Sequence, residues 1–426
     1  MNKIHIQGGI PLRGEVRIQG SKNAVLPILA ATVLIKGICV IQNCPHISDV
    51  DDMIKILQSI GCEVSFSNTE IVVNAVHIYE SRLPREYVTG MRSSIILMGA
   101  LLARMGEVQL DHPGGCVIGD RPIDIHVSAL KQLGVQIEEK DGILYASTGG
   151  MLGTEIRLRF PSVGATENII LAAVQAKGIT KIYNCAQEPE IKALCEFLIK
   201  AGAKITGMET GCLTIAGVTE LKPVEYEMDS DRIVAGTYLF STTAWESDIT
   251  LLDAPVAYMK AAIKTARQAG LIVTVYEHAL RVRKTGPLHA VSYIETAVYP
   301  GFPTDLQSVL LVMLSMAEGN SVLKENIFNR RFGVAAELNR MGAAIDTQKE
   351  NALIQGNRQL SGRHVIAEDL RGGAALIAAG LAAGGDTFVS NIGYIERGYE
   401  DICRDYRMLG ADIRRCSEEA EKEKEE

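Results

Sequence analysis

Aromatic residues are scarce in this chain. Phe, Tyr and Trp make up 5% of its 426 residues, with a single Trp, so it has little to offer the stacking surfaces that hold single-stranded nucleic acids. A formal charge of −8 argues against a general polyanion binder; an anionic ligand would need local clusters of cations. The nine Cys are odd in number and include no C-x-x-C pair, so neither a disulfide framework nor a zinc site is indicated, and reduced thiols in a cytosol fit best. No apolar run reaches the roughly 20 residues of a membrane-spanning helix. MNKIHIQGG opens directly as a strand, without a signal-peptide pattern. G-x-x-x-x-G-K-[ST], G-x-S-x-G and H-E-x-x-H are missing as well, which sets aside a nucleotide-hydrolysing P-loop, a hydrolase elbow and a zinc protease site. A cytoplasmic protein with no metal site, no nucleic acid and no membrane partner is the expectation.

What is there is a repeat. The same phrase, an apolar helix end followed by Gly and an alternating strand, returns six times: LQSIGCEV, LKQLGVQI, LIKAGAKI, ARQAGLIV, LNRMGAAI and YRMLGADI. The glycines are Gly61, Gly134, Gly202, Gly270, Gly342 and Gly410, spaced 73, 68, 68, 72 and 68 residues apart. So regular a period fixes the architecture before any single residue is read. Each repeat holds a helix that is apolar all round, hence buried, then a β-rich segment, then an amphipathic helix ending at the repeat Gly, then a hairpin. Glycines after the apolar helices (Gly37, Gly106, Gly178, Gly319 and Gly385) read as helix stops. The last repeat has one strand after its Gly, and the N-terminal strand has no repeat of its own. The economical reading is that the first strand completes the last repeat.

The fold class that follows is α/β: two similar domains, each a closed assembly of three repeats around three buried helices. The expected boundaries are 21–229 for the first domain and 1–20 with 230–416 for the second, joined by two short crossings that suit a hinge. Residues 417–426, SEEAEKEKEE, are charged without an apolar stripe and read as a disordered acidic tail.

Residues that break the repeat are those the scaffold does not require. Ser, Thr and Asp ahead of the apolar helices are explained by capping. Lys22, Arg92 and Arg371 are not, because a cation in a first helical turn opposes the helix dipole, a conflict a bound phosphate or carboxylate would remove. The loop His112–Asp124 carries three Gly and two Pro around Cys116, whose thiolate Arg121 would favour. Cys39, Cys62, Cys195 and Cys212 sit in apolar repeat positions and read as inert core thiols. Matching loops carry Arg330-Arg331 and Glu396-Arg397. Asp305 suits an N-cap, and equally a carboxylate that accepts a hydroxyl proton; the residues alone do not separate the two. His126 reads as a helix-surface residue.

GSKNAVLP, PGGCVIGDRPIDIH, PSVGATEN, PGFPTDLQ, NRRF, EDLRGGAA and YIERGYED, in this order over residues 1–415, together resemble the UDP-N-acetylglucosamine 1-carboxyvinyltransferases of the EPSP synthase superfamily. The resemblance implies an inside-out α/β barrel in each domain, with the active site in the cleft between them. It implies transfer of enolpyruvyl from phosphoenolpyruvate to the sugar 3′-hydroxyl, an early step of peptidoglycan synthesis, by a monomer without cofactor. By the same likeness Lys22, Arg121 and Arg397 hold the phosphoenolpyruvate phosphate, and Arg331 and Arg371 assist at its carboxylate. Asn23 and Asp305 touch the sugar. Arg92, Arg121, Pro122, Ile123, Asp124, Ile125, Ser162, Val163, Gly164 and Ile327 line the UDP moiety, and Asp369 supports the cations. Asp305 is the implied base, and Cys116 the implied acid and target of fosfomycin-like epoxides, on a loop that serves as a lid. The sister shikimate enolpyruvyl transferases and a non-catalytic UDP-sugar-binding paralogue are the alternatives.

Overall fold

The six apolar segments form six helices, α1 (Lys22–Thr32), α2 (Leu97–Met105), α3 (Val163–Ala173), α4 (Arg232–Ser241), α5 (Gln307–Met316) and α6 (Leu370–Ala382). The computed structural model describes residues 2–114, 119, 122–244 and 246–417. Among these the chain forms two compact domains, residues 20–114 with 122–229, and residues 2–19 with 230–417. Each has its own hydrophobic core, the first centred on α1–α3 and the second on α4–α6. Helices apolar on every face are stable only when surrounded; α5 and α6 are buried along nearly their whole length.

Three sheets wrap each trio of helices. A typical sheet pairs Ile179–Tyr183 antiparallel with Cys212–Ala216, which pairs antiparallel with Lys204–Thr206, while Glu155–Arg157 adds a parallel edge. In the first domain Glu225–Glu227, from the end of the third repeat, lies parallel to Ile38–Gln42 of the first repeat and closes the ring. In the second domain Arg13–Arg17 closes it against Asp248–Leu252. The N-terminal strand Asn2–Gln7 pairs antiparallel with both Asp412–Ser417 and Asp386–Ser390, so it completes the sixth repeat as the pattern requires.

The repeat glycines have a common cause. All six have positive φ, between 84° and 110°. There each turns the chain out of its amphipathic helix into the first strand of the hairpin, a conformation that costs a residue with a Cβ. The other set of glycines is less uniform than the sequence implies. Gly106 is a left-handed helix cap, whereas Gly178, Gly319 and Gly385 precede strands, and Gly37 is held by contact, since a Cβ there would lie 2.5 Å from the Pro223 ring. The short parallel edge strands were not foreseen. Those of three residues bury little more than one side chain each, as in Glu155–Arg157, which is too little alternation to read.

One buried acid marks the first domain's core. Glu167 of α3 is 4% exposed. Burial, with Glu190 and Glu188 as like-charged neighbours, pushes its carboxyl up to about 8 from an ordinary 4.5. Across that window the folded chain keeps a proton that the unfolded chain has released, so stability falls as pH rises from 4.5 to 8. Glu167→Gln, which keeps the neutral shape, flattens this slope. Between pH 5 and pH 8.5 the variant gains on the order of a few kcal/mol over the unsubstituted protein. Urea unfolding at the two pH values checks it, and parallel pH slopes would refute it.

Candidate active site

In the second domain three helix starts and one loop bring charge together. The α6 N-cap is Asp369, whose Oδ1 accepts from the backbone N–H groups of Arg371 and Gly372 at 2.9 and 3.0 Å. That cap holds Arg371 in the first turn, and its guanidinium donates to Asp305 Oδ2 at 3.0 Å. Arg331 donates to the other oxygen, Oδ1, at 2.8 Å. The two guanidiniums are almost fully buried, with side chains 4% and 3% exposed against 25% for Asp305. Burial alone would raise the Asp305 carboxyl, but Arg371 and Arg331, with Arg232 behind them, outweigh it and hold the group well below the usual carboxylate range. Arg371 Nη1 and Arg331 Nε are buried without a protein acceptor. The cations of this cluster therefore exceed what Asp305 alone satisfies.

Asp305 is not an N-cap. It lies within the 3₁₀ turn Thr304–Leu306 ahead of α5 and makes no capping bond. Its turn is fixed by a residue the sequence reading missed. Glu325, 3% exposed, accepts from Thr304 Oγ1 and Thr296 Oγ1, both at 2.9 Å, and from the N–H groups of Ile327 and Phe328. One carboxylate thus ties the Asp305 turn to the Ile327 loop, and Arg331 reaches back over the Phe328 ring at 5.6 Å. Arg397 ends the 3₁₀ turn Ile392–Arg397, half-buried. Its neighbour Gly398 packs so closely on Leu370 that a Cβ would sit 2.9 Å from a leucine methyl, so Arg397 stands beside the first turn of α6.

The first domain carries a second set. Lys22, in the first turn of α1, pairs with Asp49 at 2.7 Å; the two side chains are 9% and 5% exposed. Asp49 itself lies in the first turn of helix Ser48–Ser59. Arg92 donates to the carbonyls of Pro113 and Pro122 at 3.3 and 3.2 Å, clamping both ends of the Gly-rich loop. The conflict between first-turn cations and helix dipoles is therefore relieved in the folded chain by its own groups: Asp49 for Lys22, Asp305 for Arg371 and two carbonyls for Arg92.

Pro122, Ile123, Asp124 and Ile125 open the helix Asp124–Gln132, and Ser162 caps α3 through Ala165 N–H at 3.4 Å. These two starts are adjacent. Arg159 pairs with Asp124, and a Cβ on Gly164 would lie 3.2 Å from the His126 ring. His126 is not a surface residue. It is 5% exposed and its Nδ1 accepts from Asn168 Nδ2 at 3.1 Å, while Asn168 also receives the Gly99 N–H at 2.6 Å and donates to the Ile95 carbonyl at 3.0 Å. Val163 and Gly164 fill the first turn of α3, and Asn23 that of α1, half-buried. Cys116 and Arg121 lie outside the described residues. Three of the four thiols read as core are buried, and burial pushes Cys39 up to about 11 and Cys62 and Cys195 up to about 12; Cys212 is only half-buried, which corrects that part of the reading.

Comparison with known proteins adds four findings. The family model for EPSP synthase (3-phosphoshikimate 1-carboxyvinyltransferase) matches residues 6–405. The chain is 47% identical over 413 residues to UDP-N-acetylglucosamine 1-carboxyvinyltransferase 2 of Caldanaerobacter subterraneus subsp. tengcongensis, covering 97% of this chain and 99% of that one. It is 42% identical over 422 residues to UDP-N-acetylglucosamine 1-carboxyvinyltransferase 1 of Staphylococcus aureus, covering 98% and 100%. In fold it is similar to the enolpyruvyl transferase NikO from Streptomyces tendae, with a TM-score of 0.89 at 23% identity over 97% of this chain and 98% of that one. No helix among the described residues is long and apolar enough to cross a membrane. Matched along nearly its whole length by model and relatives alike, the chain belongs to the EPSP synthase family, among its UDP-N-acetylglucosamine 1-carboxyvinyltransferases.

Proposed function

We propose that this protein transfers the enolpyruvyl group of phosphoenolpyruvate to the 3′-hydroxyl of UDP-N-acetylglucosamine and releases phosphate, in the cytoplasm, as a monomer. The observation that carries this is the 47% identity over nearly the full length to a relative named for that reaction. The charge cluster around Asp305 supports it.

The reaction is an addition followed by an elimination. In the addition the sugar oxygen bonds to C2 of phosphoenolpyruvate, the methylene carbon gains a proton and the hydroxyl loses one. In the elimination the methyl carbon gives a proton back and the C2–O bond to phosphate breaks. The reactant is multiply anionic, so dense fixed cations stabilise it as charge moves. Lys22, Arg121 and Arg397 take the phosphate, Arg331 and Arg371 the carboxylate. Asn23 and Asp305 hold the sugar; Arg92, Pro122 to Ile125, Ser162 to Gly164 and Ile327 hold the UDP. A carboxylate gripped by two guanidiniums has low proton affinity. Asp305 therefore becomes a competent base as Arg331 and Arg371 turn part of their charge to the bound carboxylate. Cys116 delivers the proton to the methylene carbon.

Phosphate release from phosphoenolpyruvate is the test. Release is expected with UDP-N-acetylglucosamine and not with shikimate 3-phosphate. Cys116→Ala lowers turnover by about 10²-fold or more, the usual worth of a positioned acid, and abolishes irreversible inactivation by an epoxide. No release with either acceptor refutes the proposal, and release with shikimate 3-phosphate alone moves the chain to the sister activity.

A further inference from the structure

The amphipathic helices of the six repeats differ in one respect. Five carry an acidic residue in the first turn, namely Asp49 with Asp51, Asp124, Glu190, Glu337 and Asp405. The fourth, Lys260–Gln268, has no acidic residue at all and carries Lys260, Lys264 and Arg267. At spacings of four and three residues these share one face. All three are exposed, and Lys260 stands at the positive end of the helix dipole, where a cation is disfavoured. Arg267 is fixed by donating to the Val273 carbonyl at 3.3 and 2.7 Å. Lys260 and Lys264 have no ion-pair partner among the described residues.

The basic face is one wall of an open groove of about 750 Å³, whose other lining is Val256, Ala257, Ile263, Gln268 and Val275. Val275 is 45% exposed and Tyr276, next to it, 52%. Apolar side chains left open at the end of an edge strand are a liability unless something covers them. The fold does not explain the basic stripe, because the other five repeats build the same helix with an acid in its first turn.

We propose that this groove docks an acidic, apolar-faced helix of a partner protein. Charge complementarity sets the sign: three cations in a chain of net charge −8 select a negatively charged segment. The apolar floor selects a helix with anchors at i, i+3 or i+4, and i+7. The nine-residue wall is about 13 Å long, which matches two to three turns of a partner. The face is shallow and open, with a single helix as its basic wall, which suits a helix laid along it; a bilayer is the alternative that the vesicle experiment decides. The chain's own acidic segment 418–426 has Ala420 as its single apolar residue and so lacks anchors for the floor. The inference is independent of the catalytic reading.

The test is a display selection of random 14-residue helical peptides on the intact protein. Enriched sequences are expected to carry Asp or Glu beside apolar residues at i, i+3 or i+4, and i+7. Synthesised peptides lose at least tenfold in affinity on Lys260→Glu/Lys264→Glu, and also on Val275→Asp, while phosphate release and melting temperature stay unchanged. Enrichment without acidic residues, no enrichment, or equal affinity for the variants overturns the proposal. Sedimentation with phosphatidylglycerol vesicles that the double variant abolishes replaces it with a membrane site. A rise in peptide affinity on deleting residues 418–426 makes that segment the occupant instead.

Discussion

Asp305→Ala abolishes turnover and lowers stability by about 3–5 kcal/mol. The substitution leaves two guanidiniums, 3% and 4% exposed, facing each other without their shared carboxylate. Their mutual repulsion and lost hydrogen bonds add to the desolvation they already bear. Asp305→Asn keeps the shape and removes the charge, so it shares most of the loss. Catalysis and structure are separable here. In Asp305→Ala/Arg371→Met one unpaired cation is gone, and part of the lost stability returns while turnover does not. Urea unfolding and phosphate release on the same preparations decide it; an Asp305→Ala protein that unfolds at the unsubstituted midpoint would refute the energetic claim. The acid side has a definite sign. Because the folded carboxyl lies below its ordinary value of 3.8, its contribution is fully present above that pH and is lost as pH falls below it. Acid unfolding of the second domain therefore loses this contribution only below pH 3.8, and the Asn variant lacks that step.

Repetition is what made so much of this fold legible. One glycine conformation recurs at Gly61, Gly134, Gly202, Gly270, Gly342 and Gly410 because one turn recurs, and six copies turn a weak local signal into a strong one. The apolar helices were equally plain, since no amphipathic surface helix reads as NIILAA or SVLLVMLSMA. The site was legible as a set of exceptions, and incompletely. That Lys22 and Arg371 needed anions followed from the dipole argument; that Asp49 and Asp305 supply them did not, because both lie in other helix starts and pairing across a fold leaves no local trace. Glu325 was missed for the same reason. Two of the four groups it accepts from, the N–H groups of Ile327 and Phe328, are local, but Thr296 and Thr304, which tie it to the Asp305 turn, come from elsewhere in the chain. His126 was misread because nothing in the local DIHVSAL sequence marks its partners in space, Asn168 and the first turn of α3. Short edge strands stayed hidden because three residues cannot display a period.

Lys22→Ala combines a structural and a catalytic loss, and the two respond differently to a second change. Lys22 and Asp49 form a pair 2.7 Å apart with side chains 9% and 5% exposed. Removing the lysine strips Asp49 of its buried counter-charge, and the expected cost is about 3–5 kcal/mol. Part of the Asp49 charge is offset by its place in the first turn of helix Ser48–Ser59, where the dipole favours an anion by about 1 kcal/mol, so the lower end of that range is expected. Lys22→Ala/Asp49→Ala removes both charges and regains most of the stability, because an uncompensated carboxylate costs more than a small apolar gap. Turnover does not follow. If Lys22 carries phosphoenolpyruvate phosphate, the double variant stays slow, with KM for phosphoenolpyruvate raised and KM for UDP-N-acetylglucosamine nearly unchanged. Lys22→Arg keeps charge but replaces a compact ammonium with a planar fork, and recovers stability better than rate. Steady-state kinetics and urea unfolding on the three variants separate the cases. A double variant with normal turnover would reduce Lys22 to a structural partner of Asp49 and leave the phosphate to Arg121 and Arg397.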